Sequence, residues 1–117
     1  MTSPHGVLIT TADVVPDRAV AHTFGLVRGS AVRGSHLGHD IFAWMKNLVG
    51  GEIDEYTKLM AEAREQALDR MAAEARAHGA DAVVGMRFAN STIAKGAAEV
   101  LAYGTAVRLR PESTSDD

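Results

Sequence analysis

The chain has no cysteine, and its 117 residues include only three prolines and 5% aromatic residues. Without cysteine, the protein forms neither disulfide bonds nor metal sites that depend on thiolate ligands. A chain of this length fits one domain around a single hydrophobic core. Because aromatic side chains are scarce and alanine and valine dominate the apolar residues, we expect a modest core to which burial between subunits would add stability.

Charge and hydropathy exclude two further classes of partner. The net charge is −3 at pH 7, whereas a nucleic-acid surface needs a basic patch, so we expect no nucleic-acid partner. No apolar run approaches the roughly 20 residues that span a bilayer. The first residues, Met-Thr-Ser-Pro-His-Gly, lack the basic-then-apolar pattern of a secretion signal. We therefore expect no membrane partner and a cytoplasmic location.

The first half of the chain reads as strands followed by helices. β-rich runs predict strands over residues 6–11 and 19–32, and Gly29-Ser30 suggests a bulge or bend within the second. A loop leads to Asp40, which is placed as the N-cap of a short helix that stops at Gly50-Gly51. Apolar residues then recur every three or four positions from 52 to 78, which predicts one long amphipathic helix.

The second half of the chain is predicted to be two strands and a tail. One apolar strand face is indicated by the alternating residues Ala82, Val84, Met86 and Phe88. Residues 90–96 are predicted to form a loop, and a second long strand is predicted over residues 99–109. Residues 111–117 are polar and acidic and are expected to be disordered. The prediction is an α+β domain over residues 1–110, in which one long helix packs on an antiparallel sheet.

The best local candidate for a metal site is the loop that holds His36, His39 and Asp40. Imidazole nitrogens and a carboxylate oxygen are suitable ligands for zinc, nickel or copper. The alternative is that two loop histidines and a helix N-cap lie close together by chance. With no cysteine and no third histidine nearby, the chance explanation is the better one.

Arg64 is the second candidate, because its position on the helix lies beside the apolar stripe. A charge there must be paired or must extend past the stripe to water. Glu99 is the first candidate for its partner and Glu74 the second, within the subunit or on a neighbour. Tyr56 could line a pocket, although its apolar helix face favours a place in the core.

Four segments carry a resemblance to a known family. They are the diglycine run Lys-Asn-Leu-Val-Gly-Gly-Glu-Ile-Asp-Glu-Tyr-Thr-Lys at 46–58, Ala-Arg-Glu-Gln-Ala at 63–67, Gly-Ala-Asp-Ala-Val-Val-Gly at 79–85, and Ala-Tyr-Gly-Thr-Ala-Val at 102–107. In that order and spacing they resemble the YbjQ-like family of small bacterial proteins, which carries a heavy-metal-binding label. The resemblance implies a compact α+β subunit that forms a homo-oligomeric ring, a pentamer. His36 and His39 depart from the family pattern, so the label does not rest on them.

Three functions stay open at this point. The first is a non-enzymatic homo-oligomer that binds a metal ion or small ligand at a subunit junction or on the ring axis. The second is an enzyme with a site shared between subunits around Arg64, Glu99 and Tyr56. The third is a structural scaffold. No cofactor is identified by the sequence.

Overall fold

The computed structural model describes residues 1–34, 53–94 and 97–111. The elements in chain order are β1 (Leu8–Ile9), β2 (Val20–Gly34), helix α1 (Ile53–Ala77), β3 (Ala82–Ala94) and β4 (Ala97–Leu109). The α+β class and the long helix are confirmed. The short helix predicted before the diglycine and most of the acidic tail lie outside the described residues.

The sheet has four strands in the order β1-β3-β4-β2. Strand β4 pairs antiparallel with both β2 and β3, while β1 pairs parallel with β3 through Leu8 and Ile9. The prediction of a wholly antiparallel sheet is therefore wrong at β1. The intervening β2 and α1 provide the long crossover that a parallel pair requires, and a pattern of apolar residues carries no information about strand direction.

Helix α1 packs on the sheet through a surface of small residues. Ala63, Ala67, Met71 and Ala75 are fully buried, which confirms the predicted apolar stripe. They pack against a cluster that includes Val27 and other apolar residues of the sheet: Ala31, Val83, Met86, Val100, Ala102 and Ala106. The charged positions on the other side of the helix, Lys58, Glu62, Glu65 and Asp69, are exposed as predicted.

The predicted bulge at Gly29-Ser30 is wrong. The register of β2 against β4 is continuous from Gly25 to Gly34, and the irregularities lie earlier, between Val20 and His22 and between Thr23 and Gly25. Gly29 is required for another reason. A Cβ there would overlap the backbone of Ala67 and Met71, so glycine lets the helix lie directly on the strand.

Strand β3 is longer than predicted, and its apolar residues do not all lie on one face of the sheet as predicted. It continues to Ala94 because the residues predicted as a loop pair with β4, as in Ser91 with Glu99. Gly85 has a φ of 62° and lies where the register against β4 shifts. As a result Val84 packs in a second cluster on the far face, whereas Met86 joins the main core, so the strict alternation predicted for this strand is wrong.

The far face of the sheet is only partly covered. Val15, from the segment between β1 and β2, packs there with Ala82, Val84, Val107 and Leu109. Among the described residues, no helix is long and apolar enough to cross a membrane.

Candidate functional site

Two side chains of α1 hydrogen-bond to the backbone of β2. The backbone N–H of Arg28 donates to Oε1 of Glu74 at 2.7 Å, and Nη1 of Arg70 donates to the carbonyl oxygen of Ser30 at 2.6 Å. Arg70 and Glu74 stand four residues apart and therefore share a helix face. Because β2 is an edge strand, these bonds satisfy backbone groups that no neighbouring strand reaches, and they hold residues 28–30 in place.

A groove of about 490 Å³ opens at this edge of the sheet. Its volume falls within the range of small-molecule sites, roughly 300–1,000 Å³. The strand register brings β4 into it, since Ser30 is opposite Leu101 and Val32 is opposite Glu99. We call it the Glu74–Glu99 groove, and its lining residues are Arg28, Gly29, Ser30, Glu74, Glu99 and Leu101.

The donor set of the groove consists of oxygen ligands, and Arg28 also lines it. Glu74 and Glu99 supply carboxylates and Ser30 a hydroxyl, which are the ligand types that hard divalent cations prefer. One oxygen of Glu74 is committed to the Arg28 amide, which leaves the other available. Over the described ranges, no hydrogen bond joins a hydroxyl to a histidine or carboxylate side chain.

The predicted site residues divide into three groups. Glu74 and Glu99 are brought together in the groove. Arg64 is half-buried on α1, about 15 Å along the helix axis from Glu74 at 1.5 Å per residue. Within the described part of the subunit, Arg64 forms no ion pair with either glutamate. A carboxylate partner on a neighbouring subunit stays a prediction.

The remaining candidates are Tyr56 and the predicted metal ligands. Tyr56 belongs to the first turn of α1, and its side chain lies outside the described part of the chain. The predicted metal ligands His36, His39 and Asp40 also lie outside the described residues. In the ranges that the structure does describe, no group of three or more histidine, aspartate or glutamate side chains is placed to hold a metal ion.

Three residues of the site were missed by sequence reasoning. The sequence predicts a strand position for Arg28 and a bulge or bend at Ser30, and it assigns no role to Arg70. The spacing of Arg70 and Glu74 was the available signal, because oppositely charged side chains four residues apart can reach the same neighbouring strand. Which strand they reach is decided by the packing of the helix.

The face of the sheet turned away from α1 is apolar and exposed beside the groove. We call this the open sheet face. Leu26 is 66% exposed and Val32 46% exposed, although both lie in the middle of a long strand. Strand alternation places on this face Leu26, Arg28, Ser30 and Val32 of β2 with Glu99, Leu101, Tyr103 and Thr105 of β4.

A second cavity of about 330 Å³ lies between α1 and the N-terminal segment. His5 Nε2 and Asp69 Oδ1 are 3.0 Å apart, and the amino group of Met1 donates to the carbonyl oxygen of Ile9. These contacts hold residues 1–6 against the helix. The cavity walls include Ile9 and Leu68, and its two carboxylates, Glu65 and Asp69, both come from α1, with Asp69 already bound to His5, so it is the weaker candidate.

Comparison with known proteins gives a consistent family match. A family model of the YbjQ type, described as "Putative heavy-metal-binding", matches residues 7–110. A UPF0145 protein of Archaeoglobus fulgidus is 57% identical over 104 residues, which is 89% of this chain and 96% of that protein. A UPF0145 protein of Thermus thermophilus is 52% identical over 105 residues, which is 90% of this chain and 92% of that protein. The relatives are thus archaeal as well as bacterial.

Among solved structures, the chain is similar to a crystal structure of a protein of unknown function from Pediococcus pentosaceus, assigned to the DUF74 family. The TM-score is 0.56 at 16% sequence identity, covering 90% of this chain and 99% of the other. At that identity the similarity shows the fold alone.

Proposed function

The chain belongs to the YbjQ family, and from that premise we propose that it is a non-enzymatic homo-oligomer, a pentameric ring, that binds a divalent cation at a subunit junction. The observation that carries the proposal is the position of the Glu74–Glu99 groove. The groove opens next to the open sheet face, so a second subunit packed on that face would add its own groups to the two carboxylates.

Support for self-association comes from the composition of the exposed surface. The main core is built largely from alanine and valine, and Met71 is the largest of the fully buried side chains. Burying Leu26 and Val32 against another copy would add apolar contact that the small core lacks. Arg28 and Glu99 give the open sheet face charges of both signs, which suits packing against a second copy of the same chain.

Support for a cation comes from the donor set. Two carboxylates in one groove repel one another unless a positive charge lies between them, and one Glu74 oxygen stays available to a cation. Oxygen donors favour hard cations such as Ca²⁺, Mg²⁺ or Mn²⁺. The heavy metals of the family description favour nitrogen and sulfur ligands; for those the candidate donors are His36, His39 and Asp40, at which we expect no tight site.

The first test is native mass spectrometry with elemental analysis of protein purified without an affinity tag. We expect a multiple of the 12.4 kDa subunit mass, and a Leu26→Glu variant should shift the distribution towards the single subunit. Lys58→Glu, an exposed position on α1, is the matched control and should assemble normally. A mass of 12.4 kDa for the wild type at micromolar concentration would overturn the proposed assembly.

The second test is calorimetric titration of Mn²⁺ and Ca²⁺. Binding should be stoichiometric per subunit and should weaken in Glu99→Gln, while Glu62→Gln on the exposed helix face should bind as the wild type does. An assembled protein that binds no cation would favour the scaffold. Turnover of a substrate that depends on Arg64, Glu99 or Tyr56 would favour the enzyme. The cytoplasmic location stays a prediction from composition, to be checked by cell fractionation.

A further inference from the structure

A cluster of four side chains lies at the end of the molecule where α1 stops, and the groove does not involve it. The rings of His22 and Phe24 meet edge to face with centroids 4.6 Å apart. The rings of Phe24 and His78 are stacked with centroids 6.4 Å apart. The guanidinium carbon of Arg108 lies 5.4 Å from the Phe24 centroid. Three nitrogen-bearing side chains therefore surround one phenyl ring.

Local backbone features assemble the cluster. The register shift between Thr23 and Gly25 turns Phe24 towards α1, where it packs against the main core, whereas regular alternation would place it on the same side as Leu26. His22 is the register partner of Arg108 on β4. His78 follows the last turn of α1, just before Gly79 ends the helix with a φ of 92°.

Among the described residues, the guanidinium of Arg108 has one hydrogen-bond acceptor. Its Nε donates to the carbonyl oxygen of Gly79 at 3.3 Å, whereas a guanidinium carries five N–H donors. The ion pair found among the described residues joins His5 to Asp69, so no described carboxylate lies within 4.0 Å of His22, His78 or Arg108. Contact with the Phe24 ring and the Gly79 carbonyl holds the guanidinium plane in place without neutralising it.

Two further arginines lie at the same end of the sheet as this cluster. Arg18 donates from Nε and Nη2 to the carbonyl oxygen of Arg110, at 3.2 and 2.8 Å, so two more guanidinium groups belong to this end of the sheet. The carboxylates of Glu74 and Asp81 accept hydrogen bonds from the Arg28 and Leu109 amides, and among the described residues neither is paired with Arg108. Arg18, Arg108 and Arg110 thus supply three guanidinium groups at this end of the sheet.

We propose that His22, His78 and Arg108 form a binding site for a phosphate-type oxyanion, with Phe24 as its rigid apolar base. The guanidinium fork matches two oxygens of a phosphoryl group, and the imidazoles of His22 and His78 bring further ring nitrogens beside the same phenyl ring. The ligand is a small phosphate-bearing molecule, because the cluster is compact and the rest of the surface is too acidic to follow a nucleic-acid backbone.

The test is titration of inorganic pyrophosphate into the full chain. Chemical shifts of the His22, His78 and Arg108 backbone amides are followed by NMR. Arg108→Gln is expected to weaken binding about tenfold or more, since it removes the charged fork. The double variant His22→Gln/His78→Gln should weaken binding as well. Arg76→Gln, an exposed arginine in the last turn of α1, removes the same charge and should bind as the wild type does.

A purely structural role for Arg108 predicts a different result. If Arg108 only caps the helix end, its variants lose thermal stability but bind pyrophosphate as the wild type does, and the proposal is overturned. The proposal is also overturned if the wild type does not bind pyrophosphate. Equal weakening in Arg76→Gln and Arg108→Gln would also overturn it, since it would show general charge attraction. If Arg108→Gln does not fold, Arg108→Lys decides, because lysine keeps the charge but loses the fork and should bind more weakly than the wild type.

Discussion

The backbone of Gly29 lies directly against the backbone of Met71, with no side chain between strand β2 and helix α1 at that point. A Cβ at Gly29 would overlap the Met71 nitrogen and the Ala67 carbonyl oxygen. The close approach places Arg70 and Glu74 within reach of the strand's outer edge, where they bind Ser30 and Arg28. The geometry of the candidate groove thus depends on a residue without a side chain.

Replacing Gly29 with alanine should destabilise the protein. The new methyl group has only backbone atoms to displace, so the helix must move away from the sheet, and we expect a loss of about 1–3 kcal/mol or more. Urea unfolding measures it. Ser30→Ala, at the next position and on the opposite face, is the control and should change stability by less than about 0.5 kcal/mol. An unchanged unfolding midpoint for Gly29→Ala would contradict the close packing.

Replacing Glu74 with alanine should open the edge of β2 locally. The Arg28 amide would lose its side-chain acceptor, and because Glu74 is exposed and water can substitute, we expect a cost of about 1 kcal/mol. Amide hydrogen exchange at Arg28 should become faster in Glu74→Ala than in the wild type. Exchange that stays slow in Glu74→Ala, or that rises equally in Glu62→Ala, would show that the carboxylate does not protect this amide.

Arg64→Met tests the predicted partner on a neighbouring subunit. Arg64 is half-buried and has no ion-pair partner among the described residues of its own subunit. If a neighbour supplies the carboxylate, removing the guanidinium leaves that carboxylate unpaired and should lower both the melting temperature and the fraction assembled. Arg76→Met is the exposed control. If the melting temperature and the fraction assembled are unchanged in Arg64→Met, the predicted ion pair is contradicted. The remaining interpretation is that the Arg64 side chain extends past the apolar stripe to water.

Zinc and copper should bind weakly. His36, His39 and Asp40 supply at most three ligands from one loop, and Asp40 is also the predicted N-cap of the following helix. We expect calorimetric titrations to give similar weak binding for the wild type and for the double variant His36→Ala/His39→Ala. Tight binding that disappears in the double variant would establish these histidines as the metal site.

Much of the fold could be predicted from the sequence, because the apolar residues of a helix recur in a local pattern. The three- and four-residue spacing of Ala63, Ala67, Met71 and Ala75 predicted α1 within one residue at each end. Strand ends were harder to predict, since residues such as Ser91 become strand only by pairing with Glu99 on β4. Strict alternation assigns residues to the wrong face of the sheet near Phe24 and Gly85. It assumes a regular ladder of paired residues, whereas an extra residue enters the strand at each of these points.

The candidate site was predicted only in part. Glu74 and Glu99 were singled out as partners for Arg64, and the structure brings the two glutamates together without it. Arg28 and Ser30 entered the site because the edge of a sheet exposes backbone groups that neighbouring side chains can bind. Which strand forms that edge is a property of the sheet order, which no local pattern records.

The sequence by itself determined the chemistry that is available and the local periodicity. It excluded thiolate ligands, predicted one amphipathic helix, and concentrated acidic groups on the exposed side of that helix. Only the tertiary structure decided the parallel pairing of β1, the close approach at Gly29, the presence of Glu74 and Glu99 in one groove, and the contacts of His22 and His78 with Phe24. These relationships join residues far apart in the chain, and they depend on strand register and helix packing, which follow from the balance of the whole core.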